Sequence, residues 1–473
     1  MKKIKLLAMA FTALTMFSCS KEQGSNEADS TTPGQPVYAQ FSISLPAATS
    51  RGTATDVSGT TAENTITDLK VYLIGSNRLV EAVLDAADVS GAGDYKTKVA
   101  QITTGAKQVI AVVNAGTTRT SAIFKAGDNL SEIEGALIAS VADAANTTNV
   151  LFSSRLTTVN VVNKSGLNGV TGTTTSVAAP FQFEVSVDRT VSKVIVRDDI
   201  KVNANIGGVG AVYTPKSAKF AINGMLTNAG LYQCGSVALP ANHVSAVHNW
   251  WKDGTDAIST PALTTAALKA VAISDYGPLA AIYNSGASDM ATILGDGSNG
   301  GRYTLENVVP ASGKYAVSTI IYAQLQITPK AKLTNGLNNM DGADIKVGDK
   351  YYAVKHKSAN TYKFFESKDE FDSWVLNHAV IAAEYENSGT LYKNGIHYYR
   401  VNITNDNGKA PELKYSLLRN KIYDVTLKEV KNFGKGTDAN LVNPTDPIET
   451  NAWIEATVKI KAWTVDRQES NLE

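Results

Sequence analysis

Residues 36–53 read PVYAQFSISLPAATSRGT. Val37, Ala39, Phe41, Ile43 and Leu45 alternate with Tyr38, Gln40, Ser42 and Ser44, the period-2 pattern of a strand that buries one face. A short Ala/Thr/Ser stretch then leads to Arg51-Gly52, so one proteolytic cut after Arg51 would sever this strand from everything that follows. Its meaning depends on what flanks it.

Upstream, Met1-Lys2-Lys3 is basic, residues 6–17 are apolar but too few to span a bilayer, and Ser18-Cys19 follows directly. Residues 1–18 therefore read as a signal peptide. A cysteine placed after a small residue at this point resembles a bacterial lipoprotein signal, which makes Cys19 the candidate acylation site. Residues 20–35, rich in Ser, Thr, Gly, Glu and Asp, read as a tether. Residues 19–51 are thus expected to form a lipidated propeptide that contains the removable strand. The other cysteine, Cys234, then lacks a disulfide partner, and core burial must carry the fold.

The 473 residues are 43% hydrophobic, and 44 basic side chains balance 44 acidic ones. Zero net charge gives no reason to expect nucleic acid or an anionic membrane surface as a partner. The length suits two or three domains. Strand-like runs recur at 68–74, 108–113, 182–187, 193–196, 315–327, 397–403, 421–427 and 453–463, separated by turn residues such as Asn394-Gly395 and Asn407-Gly408. This spacing is a β-sandwich signature. Two helices are expected as additions. Ser367 and Glu370 have capping-box spacing ahead of Phe371 and Trp374, and Asn129 precedes Leu130, Ile133, Leu137 and Val141 on one helical face. A boundary is placed at 179, where the Thr-rich stretch 171–175 gives way to strand pattern, which divides the chain into 52–179 and 180–473.

Motifs for chemistry are weak. Residues 295–300, GDGSNG, match G-x-G-x-x-G, but strand-like RYTL follows where a phosphate cradle needs a helix. The five histidines, His243, His248, His356, His378 and His397, carry no metal-ligand spacing. Asp341 to Asp344 lacks the alternating ligands of a calcium loop and reads as an acidic turn. No nucleophile elbow or P-loop is present, and Cys234 has no evident base nearby in sequence. No catalytic residue, metal or cofactor is expected, and the chain is not read as an enzyme.

The far end of the chain mirrors the beginning. In AWIEATVKIKAWTVD, residues 452–466, Ile454, Ala456, Val458, Ile460 and Ala462 share one face of a second alternating strand. Residues 432–450 before it contain Gly434, Gly436, Pro444 and Pro447, the composition of a linker that lets the strand swing away. Departure of strand 37–45 would leave an apolar groove with unpaired backbone groups, and strand 452–466 of another copy is a fitting occupant. Because groove and strand are different surfaces, the contact is heterologous and propagates.

Together with the lipoprotein-like start, several further stretches complete the pattern: VDRTVSKV at 187–194, YTLEN at 303–307, LRNKIYDV at 418–425 and the terminal Trp463. In this order the sequence resembles the Bacteroidales type V fimbrial shaft subunits, the FimA and Mfa-like pilins. The resemblance implies a mainly β fold of two transthyretin-like β-sandwich domains with minor helices, and export as an outer-membrane lipoprotein precursor. It also implies cleavage between Arg51 and Gly52 by an arginine-specific protease and polymerisation into a surface fimbria that supports adhesion and biofilm formation. The implied partners are further copies of the subunit, anchor and tip subunits, and host or bacterial surface ligands. The competing expectation is an anchored lipoprotein that binds glycan or a host ligand through Trp250-Trp251 and Tyr398-Tyr399, or a fimbrial tip adhesin.

Overall fold

The computed structural model describes residues 33–46, 57–88, 95–117, 119, 123–134, 136–138, 141–145, 149–163, 176–214, 218–223, 229–231, 301–306, 320–404, 415–436 and 453–464. The protein is mainly β. Each run read as a strand from its pattern contributes one, for example Leu69–Ile74, Gly105–Val113, Phe181–Arg189, Val191–Val202, Ile320–Pro329, Ile396–Asn402, Lys421–Val430 and Ile454–Thr464.

The strands enclose two large apolar cores. Around the first runs a nine-stranded sheet in the order Thr157–Val161, Gly105–Val113, Leu69–Ile74, Val80–Asp88, Tyr95–Thr97, Pro36–Ser44, Phe181–Arg189 and Phe152–Ser154, with Ala100–Thr103 also pairing on Pro36–Ser44. Val112 and Val113 pair with Ser153 and Phe152, so the sheet closes on itself. Phe41, Tyr72, Ile110, Phe152 and Phe181 are among the side chains that fill this core. The unbroken run Val109 to Val113 is buried throughout, as an apolar sequence without alternation requires.

The second core lies between two sheets. One has the order Arg302–Leu305, Val191–Val202, Lys421–Val430, Ile454–Thr464 and Val57–Ser58. The other is built on Ile320–Pro329, which pairs with Ala211–Tyr213, Lys219–Asn223 and Ile396–Asn402. Val196, Phe220, Ile321, Leu325, Tyr423 and Val425 meet between them. Phe181–Arg189 of the first sheet and Val191–Val202 of the second are joined through a single buried residue, Thr190, whose N–H donates to the Leu151 carbonyl at 2.9 Å. A small three-stranded sheet, Tyr351–Lys355, Tyr362–Phe365 and Thr390–Tyr392, carries the helix Lys368–Asn377, whose Phe371 and Trp374 cluster with Tyr352, Val354 and Phe365. Ser367 caps that helix, its Oγ accepting from Glu370 N–H at 3.3 Å, but the Glu370 carboxylate accepts from Gly336 N–H at 2.9 Å, so only half of the expected capping box forms.

Several expectations are corrected. Phe181–Arg189, assigned by its sequence to 180–473, lies in the first sheet because it pairs along the N-terminal strand. The segment after Asn129 is not one helix. Asn129 does accept from Ser131 N–H at 2.9 Å, but the helix stops at Glu134, and Leu137–Ile138 instead pairs with Ala229–Gly230. Tertiary pairing there overrides helical periodicity. Asn394 and Gly395 adopt φ of 55° and 64° as their turn requires, yet the turn joins strands of two different sheets and closes no hairpin. Asp341–Asp344 is a short exposed strand paired with Lys332–Thr334, not a turn. Residues 295–300 and Asn407-Gly408 lie outside the described residues.

Candidate functional site

The N-terminal strand, Pro36–Ser44, is an interior strand. It runs parallel to Phe181–Arg189 from Ala39↔Phe181 to Ser44↔Ser186, and antiparallel to Ala100–Thr103 and Tyr95–Thr97 on its other side. All five apolar residues singled out from its pattern, Val37, Ala39, Phe41, Ile43 and Leu45, are at most 5% exposed. Phe41 meets Phe183 edge-on at 6.1 Å, and its N–H donates to Thr97 Oγ1 at 3.0 Å. Burial of these side chains is worth about 6–15 kcal/mol before ordering costs. Removing the strand would therefore uncover both an apolar trough and two lines of backbone donors and acceptors.

The C-terminal strand, Ile454–Thr464, lies differently. It pairs antiparallel along its length with Lys421–Val430, from Val430↔Ile454 to Lys421↔Ala462. Among the described residues its opposite edge is paired only at its end, where Val57 and Ser58 run parallel to Trp463 and Thr464. Ile454 is buried, while Ala456, Val458 and Ile460 are half-buried against the second core. Lys461 reaches Asp424 at 2.6 Å, and Arg197 meets the same carboxylate at 2.6 Å. Burial alone would raise the Asp424 pKa, but these two cations hold it below the usual carboxylate range.

Trp463 lies next to the last residue of the strand and sits in a cluster of buried charged and aromatic side chains. The indole is fully buried and stacks on the Tyr303 ring at 5.9 Å, with the Arg189 guanidinium 4.6 Å from its centroid. Arg189 donates through Nη1 to the Trp463 carbonyl at 2.8 Å and to Asn420 Oδ1 at 3.2 Å, and through Nη2 to Asn64 Oδ1 at 2.6 Å. Burial lowers the Arg189 pKa to about 10, which leaves it charged at neutral pH.

Asn64 and its neighbour Glu63 belong to the four-residue helix Thr61–Asn64, which a capping box at Thr60 organises. Glu63 Oε1 accepts from Lys193 Nζ at 2.9 Å and from the Tyr303 hydroxyl at 2.5 Å, while Oε2 accepts from Thr60 N–H at 2.7 Å. Burial pushes the Glu63 carboxyl up, but Lys193 and these donors bring it below its ordinary value. A second buried pair, Arg419 with Glu306 at 2.9 Å, stands nearby in the chain order, and Arg419 also donates to the Leu231 carbonyl at 3.1 Å.

The stretches 187–194 and 418–425, the described part of 303–307 (303–306) and Trp463 therefore meet in space. Sequence reasoning singled them out without showing that they touch, and it missed Glu63 and Asn64. The pattern Thr60-x-x-Glu63 signals a capping box, but nothing local announces a partner 130 positions away. Cys19, Arg51 and Gly52 lie outside the described residues, as do the Ala462 side chain, Cys234, His243, His248 and Trp250-Trp251. Tyr398-Tyr399 is not an exposed platform: Tyr399 is buried with its hydroxyl on the Asn432 carbonyl at 3.1 Å, and Tyr398 packs on Ile320 and Tyr322. His397 is a core residue, stacked on Tyr392 at 4.0 Å with Nε2 2.7 Å from the Tyr351 hydroxyl, and burial lowers its pKa to about 3.

The family model of the major fimbrial subunit protein (FimA) matches residues 39–203, and that of the major fimbrial subunit protein type IV, fimbrillin, C-terminal, matches residues 390–469. Together they span just over half of the chain, including the C-terminal strand and the N-terminal strand from Ala39 onward. The chain belongs to the FimA-type major fimbrial subunit family. No curated protein matches this fimbrial subunit. Among solved structures it is similar to a fimbrilin from Porphyromonas gingivalis W83, at 14% identity over 91% of this chain and 99% of that one, with a TM-score of 0.46. A putative cell adhesion protein from Parabacteroides distasonis ATCC 8503 matches at 14% identity over 91% and 100%, with a TM-score of 0.44. A C-terminally truncated tip fimbrial protein from Porphyromonas gingivalis matches at 12% identity over 91% and 100%, with a TM-score of 0.35.

Proposed function

We propose that this fimbrial subunit builds the shaft of a cell-surface fimbria by exchanging strands between copies. In this reading the precursor is exported as an outer-membrane lipoprotein acylated at Cys19. An arginine-specific protease cuts between Arg51 and Gly52, and the strand carrying Val37, Ala39, Phe41, Ile43 and Leu45 departs. The strand carrying Ile454, Ala456, Val458, Ile460 and Ala462 of another copy then fills the trough. The chain would comprise two transthyretin-like β-sandwich domains, with the change from one to the other after Arg189 in place of 179. Further partners are anchor and tip subunits and the surface ligands that the fimbria meets, and adhesion and biofilm formation are the outcome.

The observation that carries the reading is the interior position of the N-terminal strand. A strand hydrogen-bonded on both sides leaves a slot when it is withdrawn, whereas an edge strand leaves only another edge. The presence of both a slot and an alternating strand favours a shaft subunit over a tip, which needs only the slot. The buried Tyr399 weakens the anchored ligand-binding alternative.

The test is N-terminal sequencing and intact mass of protein sheared from its native host, alongside the triple variant Ile454→Asp, Val458→Asp, Ile460→Asp. A start at Gly52 in denaturant-resistant polymers, with soluble monomers from the variant, is the expected result. An acylated Cys19 on a monomer, or normal polymers from the variant, would sink the reading.

A further inference from the structure

Residues 57–64 begin six positions after Arg51 and do not belong to the first sheet. Val57 and Ser58 pair with Trp463 and Thr464, and Glu63 and Asn64 fasten the two cations, Lys193 and Arg189, that flank the Trp463 ring. Gly59 runs so close over the indole that a Cβ there would lie 3.0 Å from Trp463 Nε1 and 2.4 Å from Asn64 Oδ1. The segment therefore lies against the end of the C-terminal strand, and it also holds Tyr303, whose ring stacks on the indole and whose hydroxyl donates to Glu63.

Along residues 454–461 the strand is half-buried or exposed at most positions, and its outer edge is paired with described residues only at this end. The ladder to Lys421–Val430 runs the length of the strand, and on the outer edge its contacts with described residues are concentrated where 57–64 meets Trp463. We propose that residues 57–64 are a clasp that keeps the C-terminal strand on its own subunit, and that the strand leaves only after Trp463 has left the pocket beneath them. The clasp lies downstream of Arg51, so a cut there removes the N-terminal strand and leaves the clasp in place. Its bearing on assembly rests on the reading in the preceding section: loss of the N-terminal strand opens the slot, while release of the C-terminal strand is a separate step with its own barrier.

Arg189 gives the two steps a physical link. It ends the strand that lines the slot, three residues beyond Ser186, the last partner of the N-terminal strand, and it donates directly to the Trp463 carbonyl. Whatever occupies the slot is thereby joined to the clasp through one strand and one side chain.

The experiment is backbone hydrogen exchange on the monomeric full chain, comparing Glu63→Gln and Trp463→Phe with the unaltered protein. Glu63→Gln loosens the lid, and Trp463→Phe shrinks the group it holds while keeping an apolar ring. Exchange over 454–464 is expected to quicken at least tenfold in both variants, with 320–329 and 69–74 unchanged. Exchange over 454–464 that stays at the unaltered rate in either variant, or that rises no more than over 320–329, would overturn the clasp. Fibre formation is scored separately on the chain cut after Arg51. A working clasp in a chain that never polymerises refutes strand exchange between copies and leaves the clasp standing.

Discussion

The two terminal strands have the same sequence pattern and opposite situations. Pro36–Ser44 is bonded on both edges, and its Val37, Ala39, Phe41 and Ile43, with Leu45 just beyond it, are sealed in the first core. Among the described residues, Ile454–Thr464 pairs along its length only with Lys421–Val430, keeps most of its apolar face half-buried, and gains a second partner, Val57–Ser58, at its last residues. Alternation in sequence reports that one face of a strand is apolar. It does not report how many neighbours the strand has, and that number separates a strand bonded along both edges from one bonded along a single edge.

The sharpest way to break this contrast is to remove one side chain from each strand. Phe41→Ala in the full chain should cost about 3–5 kcal/mol of unfolding free energy by denaturant titration, the range for deleting a buried aromatic ring. A loss below about 1 kcal/mol would mean that the strand is not an integral part of the core. The second test addresses the core beneath the C-terminal strand. His397 is held neutral there by burial among Tyr351, Tyr392 and Tyr399. Burial lowers its pKa from the ordinary 6.5 to about 3, so below pH 6.5 the unfolded chain binds a proton that the folded chain refuses. Stability should fall as pH drops from 6.5 toward 3, by about 3 kcal/mol between pH 7 and 4. His397→Gln should flatten that slope in thermal unfolding, and an unchanged slope would remove His397 as its source. The smallest effect is expected for Val458→Ala, about 1 kcal/mol or less, because the side chain is half-buried and the site can relax. A cost equal to that of Phe41→Ala would erase the distinction between the strands.

Much of the β architecture was legible because period-2 runs such as 37–45 and 454–462 can only bury one face as strands. Val80–Asp88 was not, since VEAVLDAAD mixes charge and alanine without clear alternation. The break after Glu134 escaped for a different reason: the residues that end the helix lie near position 230, where they pair with Leu137 and Ile138. The cluster at Trp463 shows the limit most clearly. Arg189, Tyr303 and Asn420 each stood in a recognisable stretch, but a guanidinium that binds Asn64, Asn420 and the Trp463 carbonyl at once is a property of the folded chain. Charge spacing along a sequence contains no trace of it.

Thr190 has a mechanical consequence. The N-terminal strand lies parallel to Phe181–Arg189, and one residue later the same backbone enters Val191–Val202, which lies parallel to Lys421–Val430. A pull applied along the slot passes through that single residue into the second sheet with no loop to stretch. The ladders on both sides then resist by sliding, with many hydrogen bonds loaded together, and not by unzipping one bond at a time.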